Sequence, residues 1–165
     1  MGRDEDEEMR ELKLLEAIEE EPEARQVDLA ARVGVAVGTV NWLIKRLAAK
    51  GYIKVKRIGR WRWRYLLTPK GFAEKARLTQ RYLRESMRLY RETRQEARRM
   101  LAKIRKKGYT QVRIEGEPEN DLVDVCRLTC LEQGIAIVRS EDAPLLRVAG
   151  RELTLEWPEG GDGDG

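Results

Sequence analysis

In the stretch from Ala36 to Leu47 (AVGTVNWLIKRL), Val40, Leu43, Ile44 and Leu47 recur at helical spacing, so that face of a helix belongs in a core. The opposite face presents Gly38, Thr39, Asn41, Trp42, Lys45 and Arg46, which a purely structural helix does not need. A shorter amphipathic segment precedes it, with Val27, Leu29, Ala30 and Val33 apolar, and closes at Gly34. Two short helices joined by a glycine-containing turn form the helix-turn-helix pattern. In such modules the second helix enters the DNA major groove.

The pattern changes after Gly51. Tyr52 to Ile58 (YIKVKRI) alternates apolar and basic residues, as a half-buried strand does. Gly59-Arg60 turns the chain, and Trp61 to Leu67 (WRWRYLL) returns as a second strand. Helix, turn, helix and a basic hairpin make a winged helix. The hairpin carries Lys54, Lys56, Arg57, Arg60, Arg62 and Arg64, a charge density suited to lying along phosphates. A protein-binding winged helix with a solvated basic hairpin is the competing interpretation.

Around this centre the other elements follow from periodicity and breakers. Asp4 to Glu20 reads as an amphipathic helix with Met9, Leu12, Leu15, Ala17 and Ile18 inward, ended at Pro22. Thr68 is placed to cap a helix that has Pro69 at its first position. From Lys70 to Lys107 there is no proline, and no glycine after Gly71, so the helix would run roughly 55 Å. Ala76, Leu83, Met87, Tyr90, Ala97, Leu101 and Ile104 fall at alternating steps of three and four, broken at Gln80 and Arg94. That is a coiled-coil seam and reads as a dimer contact; a helix packed along its own domain is the alternative. Beyond Gly108, Tyr109–Glu115 is a strand, Asn120 or Asp121 to Gln133 a helix, and Ile135–Val138 a short buried strand. This βαβ unit implies parallel strands and a right-handed crossover. Leu145–Ala149 and Glu152–Trp157 then form a hairpin about Gly150-Arg151.

Charge is segregated along the chain, although the net is only +4. Residues 1–23 hold 11 acidic and 3 basic residues, residues 24–107 hold 5 acidic and 25 basic, and residues 108–165 hold 13 acidic and 5 basic. A polyanion would bind the central block and be repelled by both ends. Histidine is absent, which removes His-based triads, His general bases and imidazole metal ligands. Cys126 and Cys130 lie four apart on a helix, and read as small buried residues or as a thiol sensor pair. With no apolar run near 18 residues and an acidic N-terminus, neither a membrane span nor a signal peptide is expected, so a cytoplasmic location follows. No enzyme, metal or cofactor is expected.

The run QVDLAARVGVAVGTVNWLIKRLAAKGYIKVKR, followed by YLLTPKGFAEKARLT, resembles the MarR-like winged-helix regulators, most of all their exopolysaccharide-associated branch. The likeness covers roughly residues 10 to 105, and the LTPKG junction (Leu67 to Gly71) is its most specific part. It implies that Val37, Gly38, Thr39, Asn41, Trp42 and Arg46 face DNA and that the wing arginines reach the backbone or minor groove. Two departures stand out: Ala36 occupies the position where a capping Ser commonly opens the recognition helix, and the wing is short and Trp-rich. Related regulators can carry a nucleotide-fold segment after the long helix, which the βαβ unit resembles in reduced form. Its first βα turn, Glu115-Gly116-Glu117-Pro118-Glu119, has one glycine among three glutamates and would repel phosphate. The segment therefore reads as a structural or protein-contact module ahead of a small-ligand sensor.

The expected fold is α+β: a winged helix-turn-helix over 1–69, a long dimerisation helix over 70–107, a small α/β domain over 108–158 and a disordered tail over 159–165. The expected function is sequence-specific transcriptional regulation by a homodimer on double-stranded DNA. Val37, Gly38, Thr39, Asn41, Trp42, Lys45 and Arg46 would sit in the groove, with Lys56, Arg57, Arg60, Arg62 and Arg64 on the wing. Leu83, Met87, Tyr90, Ala97, Leu101 and Ile104 would hold the dimer. The alternatives are a non-specific architectural nucleic-acid-binding protein and a winged-helix adaptor in a protein assembly.

Overall fold

The computed structural model describes residues 3–159, so most of the expected tail lies outside the described residues. The chain divides into two compact units, one ending at Arg84 and the other beginning at Glu85. The first contains α1 (Arg3–Glu20), α2 (Gln26–Val33), α3 (Val37–Ala49), the hairpin β1 (Ile53–Gly59) and β2 (Arg62–Leu67), and the start of α4 (Pro69–Lys106). Its core joins Leu12, Leu14, Leu15 and Ile18 of α1 to Leu29 and Val33 of α2 and to Val40, Leu43, Ile44 and Leu47 of α3. Ile53, Tyr65 and Leu78 close it from β1, β2 and α4. The hairpin register pairs Ile53 with Leu67 and Val55 with Tyr65, and a bulge between Arg57 and Gly59 shifts the turn to Arg60 and Trp61. The turn thus comes one residue later than the Gly59-Arg60 pair suggests.

The α4 start is fixed by Thr68. Its Oγ1 accepts from the Gly71 amide at 3.0 Å, and its own amide donates to the Tyr52 carbonyl at 3.0 Å. This anchors the long helix to Tyr52, at the entry to β1. A Cβ at Gly71 would overlap the Tyr52 carbonyl oxygen and lie 2.9 Å from its carbon. The glycine of the LTPKG junction is therefore demanded by a backbone-to-backbone approach.

The second unit contains the rest of α4, β3 (Gln111–Gly116), α5 (Asp121–Gln133), β4 (Ala136–Ile137), β5 (Leu145–Ala149) and β6 (Glu152–Glu156). Its sheet runs β4-β3-β5-β6, with β3 parallel to both neighbours and β5 antiparallel to β6. The expected strand–helix–strand unit and hairpin are both present, and the hairpin adds to β3 through β5. The strand expected at Ile135–Val138 is only two residues long, and both lie exposed at the edge of the sheet. Asn120 caps α5 by accepting from the Leu122 amide at 3.0 Å.

The long helix corrects the seam. Ala97, Leu101 and Ile104 are buried at 0%, 1% and 0% exposure among Val112, Cys126, Cys130 and Leu146 of their own unit. They are spent on the intramolecular core rather than free for a partner helix. Tyr90 is half-buried and its hydroxyl meets Asp121 at 3.2 Å. Leu83 and Met87 remain exposed, at 55% and 52%. The helix expected as a separate dimerisation segment over 70–107 is divided between the two units at Arg84 and Glu85.

Gly116 also has a packing role: a Cβ there would lie 2.6 Å from Val123 Cγ2 and 3.0 Å from the Val148 carbonyl oxygen. The residue lets α5 and β5 approach β3. Cys126 and Cys130 are free and buried, and burial pushes their thiols up to about 12 and about 11. Thiols so raised carry almost no thiolate at neutral pH, as expected of small apolar core residues.

Candidate nucleic-acid interface

At about 100° per residue, the buried stripe of α3 places Gly38, Trp42 and Lys45 on the side away from the core. All three are exposed, Trp42 at 53%, and Val37 is exposed beside them at 43%. The helix begins at Ala36 without a side-chain cap, as the sequence requires.

The flanks of that face are occupied. Asn41 is half-buried and donates from Nδ2 to Gln26 Oε1 at 3.1 Å. Gln26 in turn donates to the Tyr65 hydroxyl at 3.3 Å, so α2, α3 and β2 share one polar chain. Asn41 keeps its second amide hydrogen for another acceptor. Thr39 is likewise half-buried. On the other flank Arg46 turns to α1, pairing with Glu7 and lying 3.7 Å from Glu11. Its guanidinium also stands over the Trp42 ring at 5.1 Å, a cation–π geometry. Arg46, expected against DNA, thus packs between the Trp42 ring and the α1 carboxylates. Gln26 gives no sign of its role in the sequence, because a polar residue opening a short helix carries no periodic signal.

Glu11 is only 4% exposed, and burial raises its carboxyl above the usual glutamate range despite the opposing charge of Lys50. The folded state therefore binds a proton at Glu11 more readily than the unfolded chain does. The stabilising contribution of that proton is complete below the ordinary glutamate pKa and is lost as pH rises toward the raised one. Glu11→Gln, permanently neutral, should then raise the melting midpoint by a few degrees at neutral pH. The advantage should vanish in acid, where Glu11 is itself protonated. A variant less stable than wild type at neutral pH would show the carboxylate to be a net stabiliser.

The wing divides its cations. Lys54, Lys56, Arg57 and Arg60 are exposed, while Glu23, in the loop after α1, holds two others. Arg62 reaches Glu23 at 3.0 Å, and Arg64 binds the same carboxylate through both Nε, at 3.1 Å, and its terminal nitrogen. The bond from Arg64 holds the Glu23 carboxyl below its ordinary range. From Ile53 to Leu67 there is no acidic residue, so Glu23 is an acid brought to the wing by tertiary folding. Arg57 turns back along the hairpin and donates to the Gly59 and Arg60 carbonyls at 3.2 and 2.9 Å.

Residues 10–54 match a family model described as winged helix-turn-helix DNA-binding. No curated protein matches the chain. Among solved structures, the PcaV transcriptional regulator from Streptomyces coelicolor, in complex with its natural ligand, is 30% identical over 45% of this chain and 54% of that chain, with a TM-score of 0.41. RV1404 from Mycobacterium tuberculosis is 18% identical over 50% of this chain and 58% of that one, at 0.41. The transcriptional regulator Tm0710 from Thermotoga maritima is 22% identical over 59% and 70%, at 0.38. The match to PcaV thus spans about half of that protein's length. By its helices, its hairpin and the family model it matches, the N-terminal unit carries a winged helix-turn-helix DNA-binding domain.

Proposed function

We propose that this protein is a MarR-like transcriptional regulator that binds double-stranded DNA sequence-specifically as a homodimer. In this reading α3 lies in the major groove, with Gly38, Trp42 and Lys45 foremost and Val37, Thr39 and Asn41 at its edges. The wing tracks the backbone or minor groove through Lys56, Arg57 and Arg60, with Arg62 and Arg64 partly withheld by Glu23. The dimer is held by the exposed part of α4 around Leu83 and Met87. The C-terminal α/β unit serves as a structural or protein-contact module, and the protein acts without catalysis in the cytoplasm. The observation that carries the reading is the exposed face of α3 lying between two tethered flanks, beside a hairpin whose Lys54, Lys56, Arg57 and Arg60 are all exposed.

The test is selection of bound sequences from random duplex DNA, with salt titration of affinity for the selected and a scrambled duplex. Wild type should return a pseudo-palindromic motif. Trp42→Ala should blur that motif while largely sparing scrambled DNA. Arg60→Ala should make the salt slope shallower by about one unit on both duplexes. Glu23→Gln should release Arg62 and Arg64, tighten binding and steepen the slope by up to about two units. Tight binding without any motif would favour the architectural alternative, and no binding at physiological salt would favour the adaptor.

A further inference from the structure

We infer that Trp61, at the tip of the wing, is a base-stacking wedge that makes DNA binding depend on how readily a base step unstacks. The inference rests on the DNA-binding reading above and concerns a residue which that reading leaves unassigned.

Among the described residues Trp61 is the most exposed large hydrophobic side chain, at 86%. It occupies the hairpin turn, between the last residue of β1 and the first of β2, and no core needs it there. A structural tryptophan hides its ring, and a turn selected only for geometry favours Gly, Asn or Asp. The backbone leading into Trp61 is braced. Arg57 ties the carbonyls of Gly59 and Arg60, the two residues that precede Trp61, and stands 5.9 Å over the Trp63 ring. A braced turn suits a wedge, because a mobile loop would lose more conformational entropy on insertion.

The charge around the ring selects the occupant. Arg60 and Arg62 flank it in sequence, Arg60 exposed and Arg62 paired with Glu23 at 3.0 Å, and exposed Lys54, Lys56 and Arg57 keep the hairpin net basic. A flat apolar ring among guanidinium groups matches a polyanion whose interior consists of stacked flat rings, with phosphates outside and bases within. Apolar side chains pushed between base steps unstack and bend a duplex, and pyrimidine–purine steps yield most readily. The wing tip would therefore read deformability, beside whatever α3 reads at base edges.

The experiment uses the full chain and a duplex obtained by selection, with the fluorescent base aminopurine placed in turn at each flanking position. Wild type should brighten the probe at one step in each flank and prefer pyrimidine–purine there. Trp61→Ala should abolish both effects and weaken binding about tenfold at an unchanged salt slope, because no charge is removed. Trp61→Phe, which keeps an aromatic face, should retain most of the affinity. If wild type binds the duplex but Trp61→Ala binds equally well with no change at the probe, the inference is overturned and the DNA-binding reading stands. The inference falls equally if Trp61→Ala loses only adsorption to anionic phosphatidylglycerol vesicles, since the ring would then serve a lipid surface. Failure of wild type to bind any duplex would remove the DNA-binding reading itself.

Discussion

Gly71→Ala is expected to unfold the N-terminal unit under conditions where wild type is fully folded. The added Cβ would overlap the Tyr52 carbonyl oxygen, and that neighbour is backbone, so no rotamer change can relieve it. The first turn of α4 would have to lift away from Tyr52. Such a shift breaks the 3.0 Å bond between the Thr68 amide and the Tyr52 carbonyl and pulls on Ile53, which is 3% exposed in the core. Overpacking against backbone, together with lost hydrogen bonds, puts the cost at roughly 3–5 kcal/mol. Gly38→Ala is the matched control, for its Cβ would enter open space on a helix. Relieving the poor helix propensity of glycine, it should leave stability unchanged or raise it by up to about 1 kcal/mol. Urea titration of the two variants beside wild type checks both, and equal midpoints for Gly71→Ala and wild type would refute the close approach.

Leu101→Asp and Leu83→Asp should have opposite consequences, although both residues lie on the same three-four pattern. Leu101 is 1% exposed, packed with Ala97, Ile104, Val112 and Leu146. A carboxylate buried among these apolar side chains would cost about 4 kcal/mol or more, enough to melt the second unit. Leu83 is 55% exposed, so its aspartate should fold normally. What Leu83→Asp should lose is self-association, and with it binding to a site with two half-sites. Circular dichroism and sedimentation, run together, separate the two losses. A folded Leu101→Asp with wild-type stability would mean that α4 is not part of this core, and an unchanged dimer in Leu83→Asp would move the dimer contact elsewhere.

The two helices of the helix-turn-helix, the basic hairpin, the long helix and the strand–helix–strand unit were all legible from hydrophobic period and breakers. Val40, Leu43, Ile44 and Leu47 announced their buried face, and Thr68-Pro69 announced the start of α4. These signals are local, because caps, turns and periods depend on neighbours a few residues away. Candidate contact residues were legible only as a surface. A helical wheel marks Asn41 and Arg46 as outside the core stripe, yet it cannot report that Gln26 and Glu7 come to meet them.

The same limit explains the long helix. An apolar stripe at steps of three and four records that a face is covered, whether by a second copy or by the chain's own sheet. For Ala97, Leu101 and Ile104 the cover is the intramolecular core, a fact decided by where β3, α5 and β5 fold back. Gly71 and Gly116 follow this rule as well: in sequence one belongs to the LTPKG junction and the other to a turn that would repel phosphate, and in space they are contact points for Tyr52 and Val123. Sequence alone determined the elements, their order and the basic centre of the chain, because those follow from local chemistry. Tertiary structure decided which charges are free, which apolar residues are already covered and which glycines are indispensable, because each of those depends on residues distant in the chain that meet only after folding.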